Sequence, residues 1–330
     1  MRFFKQQGRK LAGNGIALGC ATALMLTLSQ QAAATVDMKN ANYTESYIDV
    51  QVAGSGYALK VQRIYNSRTV FSGMFGFGWC SEFETSVEKT PEGYLKLQEC
   101  GAGQEITYKP KNESGNSVEK TITAVVEFYK KTNPNAGGES LDTLREQLRN
   151  DSSLRNRWAK QAGYTGSEVR KGTVFASDNL EVETIEFDGT QYTRNLVDGA
   201  AQRFNAAGKL TALYDKNGNF LKLNYTGDAI KEIVDNTGKK LTFSFFPTKR
   251  VKEISAPGGL KAEYKYNGED LSEVNNMWKN TYKYQYDDNH NVTKITFPDN
   301  TFKALTYNQK NDWVTSFTDR ALTGTACKET

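Results

Sequence analysis

Between residues 204 and 307 apolar and polar side chains alternate with period two, and each alternating run ends in an aromatic. Leu221, Leu223 and Tyr225 stand against Lys222 and Asn224, and Tyr282, Tyr284 and Tyr286 against Lys283 and Gln285. That is the pattern of a strand with one apolar face. The terminal aromatics, Phe204, Tyr225, Phe245, Tyr266, Tyr286 and Tyr307, are 21, 20, 21, 20 and 21 residues apart. After each comes a short polar loop (NAAGK, TGDA, FPTKR, NGED, DDNHN, NQKND) and then an apolar pair three residues apart. The pairs are Leu210/Leu213, Ile230/Ile233, Val251/Ile254, Leu271/Val274, Val292/Ile295 and, shifted by one residue, Val314/Phe317. Loops of five and four residues alternate through the first five units, which accounts for the alternation of 21 and 20. One structural unit is being reused.

Each unit reads as a β-hairpin. Gly, Asn and Asp clusters at 215–218, 235–238 and 257–259 supply the conformations that reverse the chain. An isolated hairpin is marginal in water, so each unit needs its neighbours. The prediction is a mainly β protein whose residues 173–330 form an antiparallel β-hairpin repeat array. In such an array a central anchor supports two interfaces and a terminal one about one, so Tyr266→Ala is expected to cost more than Tyr307→Ala. The last unit ends before its return strand can pair fully, which predicts an open sheet edge able to recruit another chain.

Upstream, residues 35–110 form a first β-domain of short strands. Ile48, Val50 and Val52 alternate, as do Tyr57, Leu59, Val61, Arg63 and Tyr65, and a further hairpin turns at Pro91, Glu92 and Gly93. GMFGFGW at 73–79 is followed by no Lys and no helix, and its aromatics point to close packing of backbone rather than a phosphate loop. Residues 111–172 break the β pattern. Leu141, Leu144 and Leu148 fall at helical spacing behind Ser140 as a cap, and a second helix after Ser153 carries Leu154 and Trp158. This is a small helical insertion, with the Asn-, Gly-, Ser- and Lys-rich stretch before it expected to be an exposed connection.

Residues 1–34 have the form of a cleavable export signal. Arg2, Lys5, Arg9 and Lys10 precede an apolar run at 16–28, and Ala32, Ala33 and Ala34 supply the small residues before the cut. The run is too short for a membrane span, and most of it follows Cys20, unlike a lipid-anchoring cysteine. Four of the basic residues and none of the acidic ones lie here, so the exported chain carries 38 of each sign. The formal charge of +4 therefore implies neither a nucleic-acid nor an anionic-membrane partner. Export leaves Cys80, Cys100 and Cys327 in a compartment where disulfides persist. Cys80 and Cys100 flank the hairpin that turns near Glu92, close to its register, and are the expected pair; Cys327 is the odd one.

Two stretches resemble the Rhs, or YD-repeat, family. One is LKVQRIYNS at 59–67 followed by FGFGW at 75–79; the other is the repeat, with YDKNGNF at 214–220 and YDDNHNV at 286–292. The resemblance covers roughly 37–110 and 185–325 and leaves the helical insertion outside. It implies a long curved sheet that spirals into a hollow shell, in bacterial members often around a C-terminal toxin behind a self-cleaving segment. Here there are about six repeats, no recognisable cleavage segment and no toxin domain, so the expectation is a partial shell, a fragment or truncated relative, without inherited toxin activity.

No constellation of residues points to catalysis, and neither a cofactor nor a metal is expected. The only histidine, His290, stands in a turn where another unit has Gly208. Asp215, Asn217 and Asn219 lack the glycine and glutamate of a calcium loop, since Phe220 and Thr226 stand there. The leading functional expectation is a secreted, non-enzymatic module that encloses or presents another polypeptide, either downstream repeats or cargo, in toxin delivery or at a cell surface. The alternatives are a surface protein that binds carbohydrate or another cell through repeat loops, and a secreted enzyme on a β-propeller, because two units approach the length of one blade.

Overall fold

The protein is described from a computed structural model over residues 34–37, 41–53, 56–100, 105–112, 116–166, 168–178, 180–320 and 328–329. The proposed export signal and Cys327 lie outside the described residues, apart from the backbone of Ala34.

One antiparallel sheet takes its strands in chain order, from Ser86–Lys89, Leu95–Gln98 and Glu105–Pro110 through Thr173–Ser177 to Trp313–Thr318. Successive repeat units continue a single ladder, so they are not blades of a propeller. Among the described residues no ladder joins the last strand to the first. The sheet instead curls until the Val87 N–H donates to Gly208 O at 2.9 Å, which brings its first strand against the turn 205–209. It is a long, open, curved sheet of the kind a partial shell requires.

The aromatic spacing has a structural cause. At all six anchors the ladder is interrupted by a bulge, and each anchor lies opposite the first member of its apolar pair: Phe204 with Leu210, Tyr225 with Ile230, Phe245 with Val251, Tyr266 with Leu271, Tyr286 with Val292, Tyr307 with Val314. One extra residue on the second strand places residues i and i+3 on the same face. Hence the apolar pairs keep a spacing of three inside strands whose period is two. Tyr225, Tyr286 and Tyr307 donate their hydroxyls to the carbonyls of Leu210, Leu271 and Val292, 15 residues earlier, at 2.6, 2.8 and 3.0 Å. Each tyrosine thus ties its unit to the preceding bulge.

The two Tyr-Asp matches lie at opposite rims of the sheet. Asp287 follows an anchor, whereas Asp215 follows the end of the bulged strand Leu210–Tyr214. Both carboxylates accept backbone N–H groups two and four residues on, from Asn217 and Asn219 and from Asn289 and Asn291. The signature therefore marks a turn chemistry used at both rims.

Three helices, α1 (Ser117–Thr132), α2 (Gly138–Asn150) and α3 (Ser152–Gln161), separate the adjacent strands Glu105–Pro110 and Thr173–Ser177. α1 replaces part of the exposed connection expected from sequence. Its Thr121, Ile122, Val125 and Val126 are buried at helical spacing, a signal masked because all four are β-branched and favour strands. Ser140 is not the cap. α2 begins after Gly137, and the Ser140 hydroxyl donates back to Gly137 O at 2.8 Å. The insertion has a separate apolar core with Leu144, Leu148 and Ala159.

Candidate functional site: the docked N-terminal segment

A second, smaller sheet, Ala34–Asp37, Asn42–Val52, Leu59–Asn66 and Trp79–Cys80, lies against one face of the repeat sheet and shares its core. Strand Asn42–Val52 does not turn Ile48, Val50 and Val52 inward together. A bulge between Ile48 and Val50 breaks the alternation, and the buried residues are Tyr43, Glu45, Tyr47, Asp49 and Val50. Two carboxylates thus face the core in place of Ile48. Burying them is tolerable only with partners, and the neighbouring elements supply these.

Arg63, fully buried, binds Asp49 through Nε and through Nη2 at 3.0 Å, and Nη2 also donates to Tyr284 Oη at 3.3 Å. Tyr264 donates its hydroxyl to Asp49 at 2.9 Å. The guanidinium lies 4.6 Å from the centre of the Trp79 ring and 5.4 Å from that of Tyr47, a buried cation–π cage. Burial, and next the Asp49 charge, hold the Tyr264 hydroxyl well above its ordinary pKa, so it stays a donor. A second buried pair, Glu45 with Lys303 at 2.8 Å, repeats the scheme nearer the end of the array, with the Tyr43 hydroxyl also on Glu45.

Backbone contacts follow the bulges. Val251 N–H donates to Met74 O at 2.9 Å and Val314 N–H to Ala41 O at 3.2 Å. Between them, Val292 N–H donates to Tyr65 Oη at 2.9 Å. These donors are the first apolar residues of three repeat units, so the array grips another segment of chain at a recurring position. Trp79 Nε1 donates to Tyr286 Oη at 2.9 Å, and Tyr266 donates to Met74 O at 3.3 Å.

Of the anchors, Phe204 and Tyr307 are buried and Tyr225, Phe245, Tyr266 and Tyr286 are half-buried against the same core. Cys80 and Cys100 are joined by a disulfide with Cα atoms 5.6 Å apart, which links the small sheet to the end of Leu95–Gln98. His290 has φ of 65°, lies 2.8 Å from Asp270 through Nδ1 and packs on Phe77 with ring centres 5.0 Å apart. It belongs to this docking surface. Among the described residues no group of three or more His, Cys, Asp or Glu is placed to hold a metal.

Beside the docked segment is a cleft of about 950 Å³ lined by Met74, Glu84, Leu210, Tyr225, Ile230 and Arg250, among others. Glu84 accepts the Met74 and Ser81 N–H groups. Burial nevertheless pushes its carboxyl up to about 7, against the pull of those two donors. Asp49, Glu45, Lys303 and Glu84 were not legible as site residues. The available signal was two acidic residues in phase with Tyr43 and Tyr47 within one alternating run.

The fold and this contact define a class: an antiparallel β-hairpin array whose face is occupied by an N-terminal segment of the same chain. A family model described as "Domain of unknown function (DUF6531)" matches residues 33–108, which span the small sheet and the first hairpin. No curated protein matches the chain. Among solved structures, the one titled "Crystal Structure of TcdB2-TccC3-Cdc42" aligns with 11% identity and a TM-score of 0.30. The alignment covers 86% of this chain and 13% of that one, so the chain spans a small part of that protein's length.

Proposed function

We propose that the chain is an exported, non-enzymatic structural module of the Rhs, or YD-repeat, kind, a partial β-shell that encloses or presents another polypeptide. The observation that supports this is the recurring grip of the bulges. The N–H groups of Val251 and Val314 hold carbonyls of a distant stretch of chain, a recognition mode that depends on backbone and is indifferent to side-chain identity. Among the described residues, strand Trp313–Thr318 pairs with Lys328–Glu329 through Phe317 and Thr318 alone, which supports strand addition along the rest of that side, where Val314 N–H already holds Ala41 O.

The experiment places a photo-crosslinking residue at Ser316, an exposed position on that edge, in the chain expressed in its native host. The expected result is one defined crosslinked polypeptide, recovered again in independent preparations and lost when Trp313–Thr318 is made repulsive by Ser316→Lys and Val314→Lys. An exported chain that forms no crosslink and is monomeric by light scattering would reject the reading. Export itself is tested by intact mass: the expected mature form begins at Thr35.

A further inference from the structure

The cleft of about 950 Å³ beside the docked segment is walled on one side by residues 72–74 of that segment and by strand Ser86–Lys89. The other wall is the row of turns that follow the anchors Phe204, Tyr225 and Phe245. Ala206 and Ala207 are exposed there and Ala229 and Phe245 half-buried, so the interior is apolar and its small side chains let a backbone come close.

Backbone groups are available on both walls. The Val87 N–H points to Gly208 O at 2.9 Å, away from the neighbouring strand Leu95–Gln98, whereas the Thr90 N–H points back across the hairpin to Tyr94 O at 2.9 Å. Alternate residues of a strand direct their backbone groups to opposite edges. Lys89 therefore presents its N–H and C=O along the same outer edge as Val87, two residues beyond the contact with turn 205–209. On the facing wall, the four-residue loop after Tyr225 matches the one after Tyr266, so that Asp228 corresponds to Glu269. Glu269 O accepts the Phe77 N–H of the docked segment at 3.1 Å. Asp228 O meets Lys209 Nζ at 3.4 Å, a long contact. The array thus repeats, at the cleft, a carbonyl that elsewhere holds an extended backbone.

Charge narrows the occupant further. The three carboxylates of the lining are matched: Asp228 with Lys209 at 2.9 Å, Glu88 with Lys160, and Glu84 with the Met74 and Ser81 N–H groups. Arg250 is held by Gly73 O and Ser72 Oγ. Among the described residues the remaining two cations, the half-buried Lys89 and the exposed Lys249, form no ion pair and no side-chain hydrogen bond.

We propose that this cleft binds a partner polypeptide as an extended segment of alternating apolar and acidic residues, whose backbone pairs with that of Lys89 and donates to Asp228 O. Successive side chains of an extended segment point to opposite faces, so its apolar residues meet Ala206, Ala207 and Phe245 while its carboxylates meet Lys89 and Lys249. The site rests on the reading of the array as a holder of polypeptide, and it is separate from the edge strand Trp313–Thr318.

The test titrates the full exported chain calorimetrically with an end-blocked octapeptide that alternates valine and glutamate. A peptide alternating valine and lysine, the backbone N-methylated form of the glutamate peptide, and sodium laurate are separate titrants. The expected result is binding of the glutamate peptide that the double variant Lys89→Glu, Lys249→Glu weakens at least tenfold at an unchanged thermal midpoint, since neither amine bonds anything in the fold. That variant should gain the lysine peptide, N-methylation should weaken binding at least tenfold by removing backbone donors, and Lys131→Glu, on α1, should change nothing. The proposal is overturned if the glutamate peptide does not bind, if the double variant binds it as the wild type does, or if the N-methylated form binds equally. Preference for laurate overturns it too, by making the cleft an acyl-anion site. Should the double variant melt earlier, Lys89→Gln with Lys249→Gln must show the same loss of binding at the wild-type midpoint, or the proposal fails. A Ser316 crosslink that persists without peptide binding rejects this site alone, and absence of both rejects the reading on which it rests.

Discussion

Removing the Arg63 guanidinium would strand the buried Asp49 carboxylate, and a buried charge left without its partner costs about 3–5 kcal/mol. Arg63→Ala is expected to lose that much stability in chemical denaturation. The double variant Arg63→Met with Asp49→Leu should recover most of it, because the pair's attraction mainly offsets its own desolvation. A loss below about 1 kcal/mol in the single variant would mean that the pair is not buried as described. Glu84 gives a pH signature of the less usual sign. Its folded pKa, about 7, is raised above the ordinary glutamate value, so the folded state holds the proton more tightly than the unfolded chain. Stability should therefore fall as pH rises from about 4.5 to about 7 and level off above. Glu84→Gln should remove that slope, measured as the denaturation midpoint between pH 4 and 8. An unchanged slope would assign it to other groups.

At the scale of the element, the repeat is held by the bulge as well as by alternation. Tyr225 reaches the Leu210 carbonyl at 2.6 Å, so Tyr225→Phe should cost about 1 kcal/mol, read by denaturation. No measurable change would reduce the hydroxyl to a bystander. Position in the array is not the only influence on the anchors, because Tyr307 is 9% exposed and donates to Val292 O under the docked segment. Tyr266 remains half-buried. Tyr307→Ala is therefore expected to cost at least as much as Tyr266→Ala, the reverse of the order that repeat position alone implies. The helical insertion follows the same logic of context: α1 forms because Ile122, Val125 and Val126 pack on Leu144, Leu148 and Ala159, and tertiary burial overrides their strand preference.

For the whole molecule, the curl of the sheet depends on one close approach. Gly208 has φ of 80°, and a Cβ there would lie 1.6 Å from Val87 O. Gly218 has nearly the same φ, 82°, with nothing within 4 Å. Gly218→Ala should thus pay only for the left-handed backbone, about 1 kcal/mol. Gly208→Ala should cost at least about 2 kcal/mol more and should speed hydrogen exchange at the Val87 amide. Equal costs at the two glycines would mean that the first strand does not rest on turn 205–209 in solution.

The 21- and 20-residue spacing, the period-two runs and the Asp and Gly turns were enough to specify a β-hairpin array with helices inserted before it. Such features depend on neighbours close in the chain, and local conformational preference records them directly. The reason for a spacing of three inside a strand was not recorded, because a bulge exists only between two paired strands. The inward placement of Glu45 and Asp49 was likewise decided by tertiary structure. A carboxylate enters a core only where a cation meets it, and Lys303 and Arg63 reach these positions through the fold, from 258 and 14 residues away.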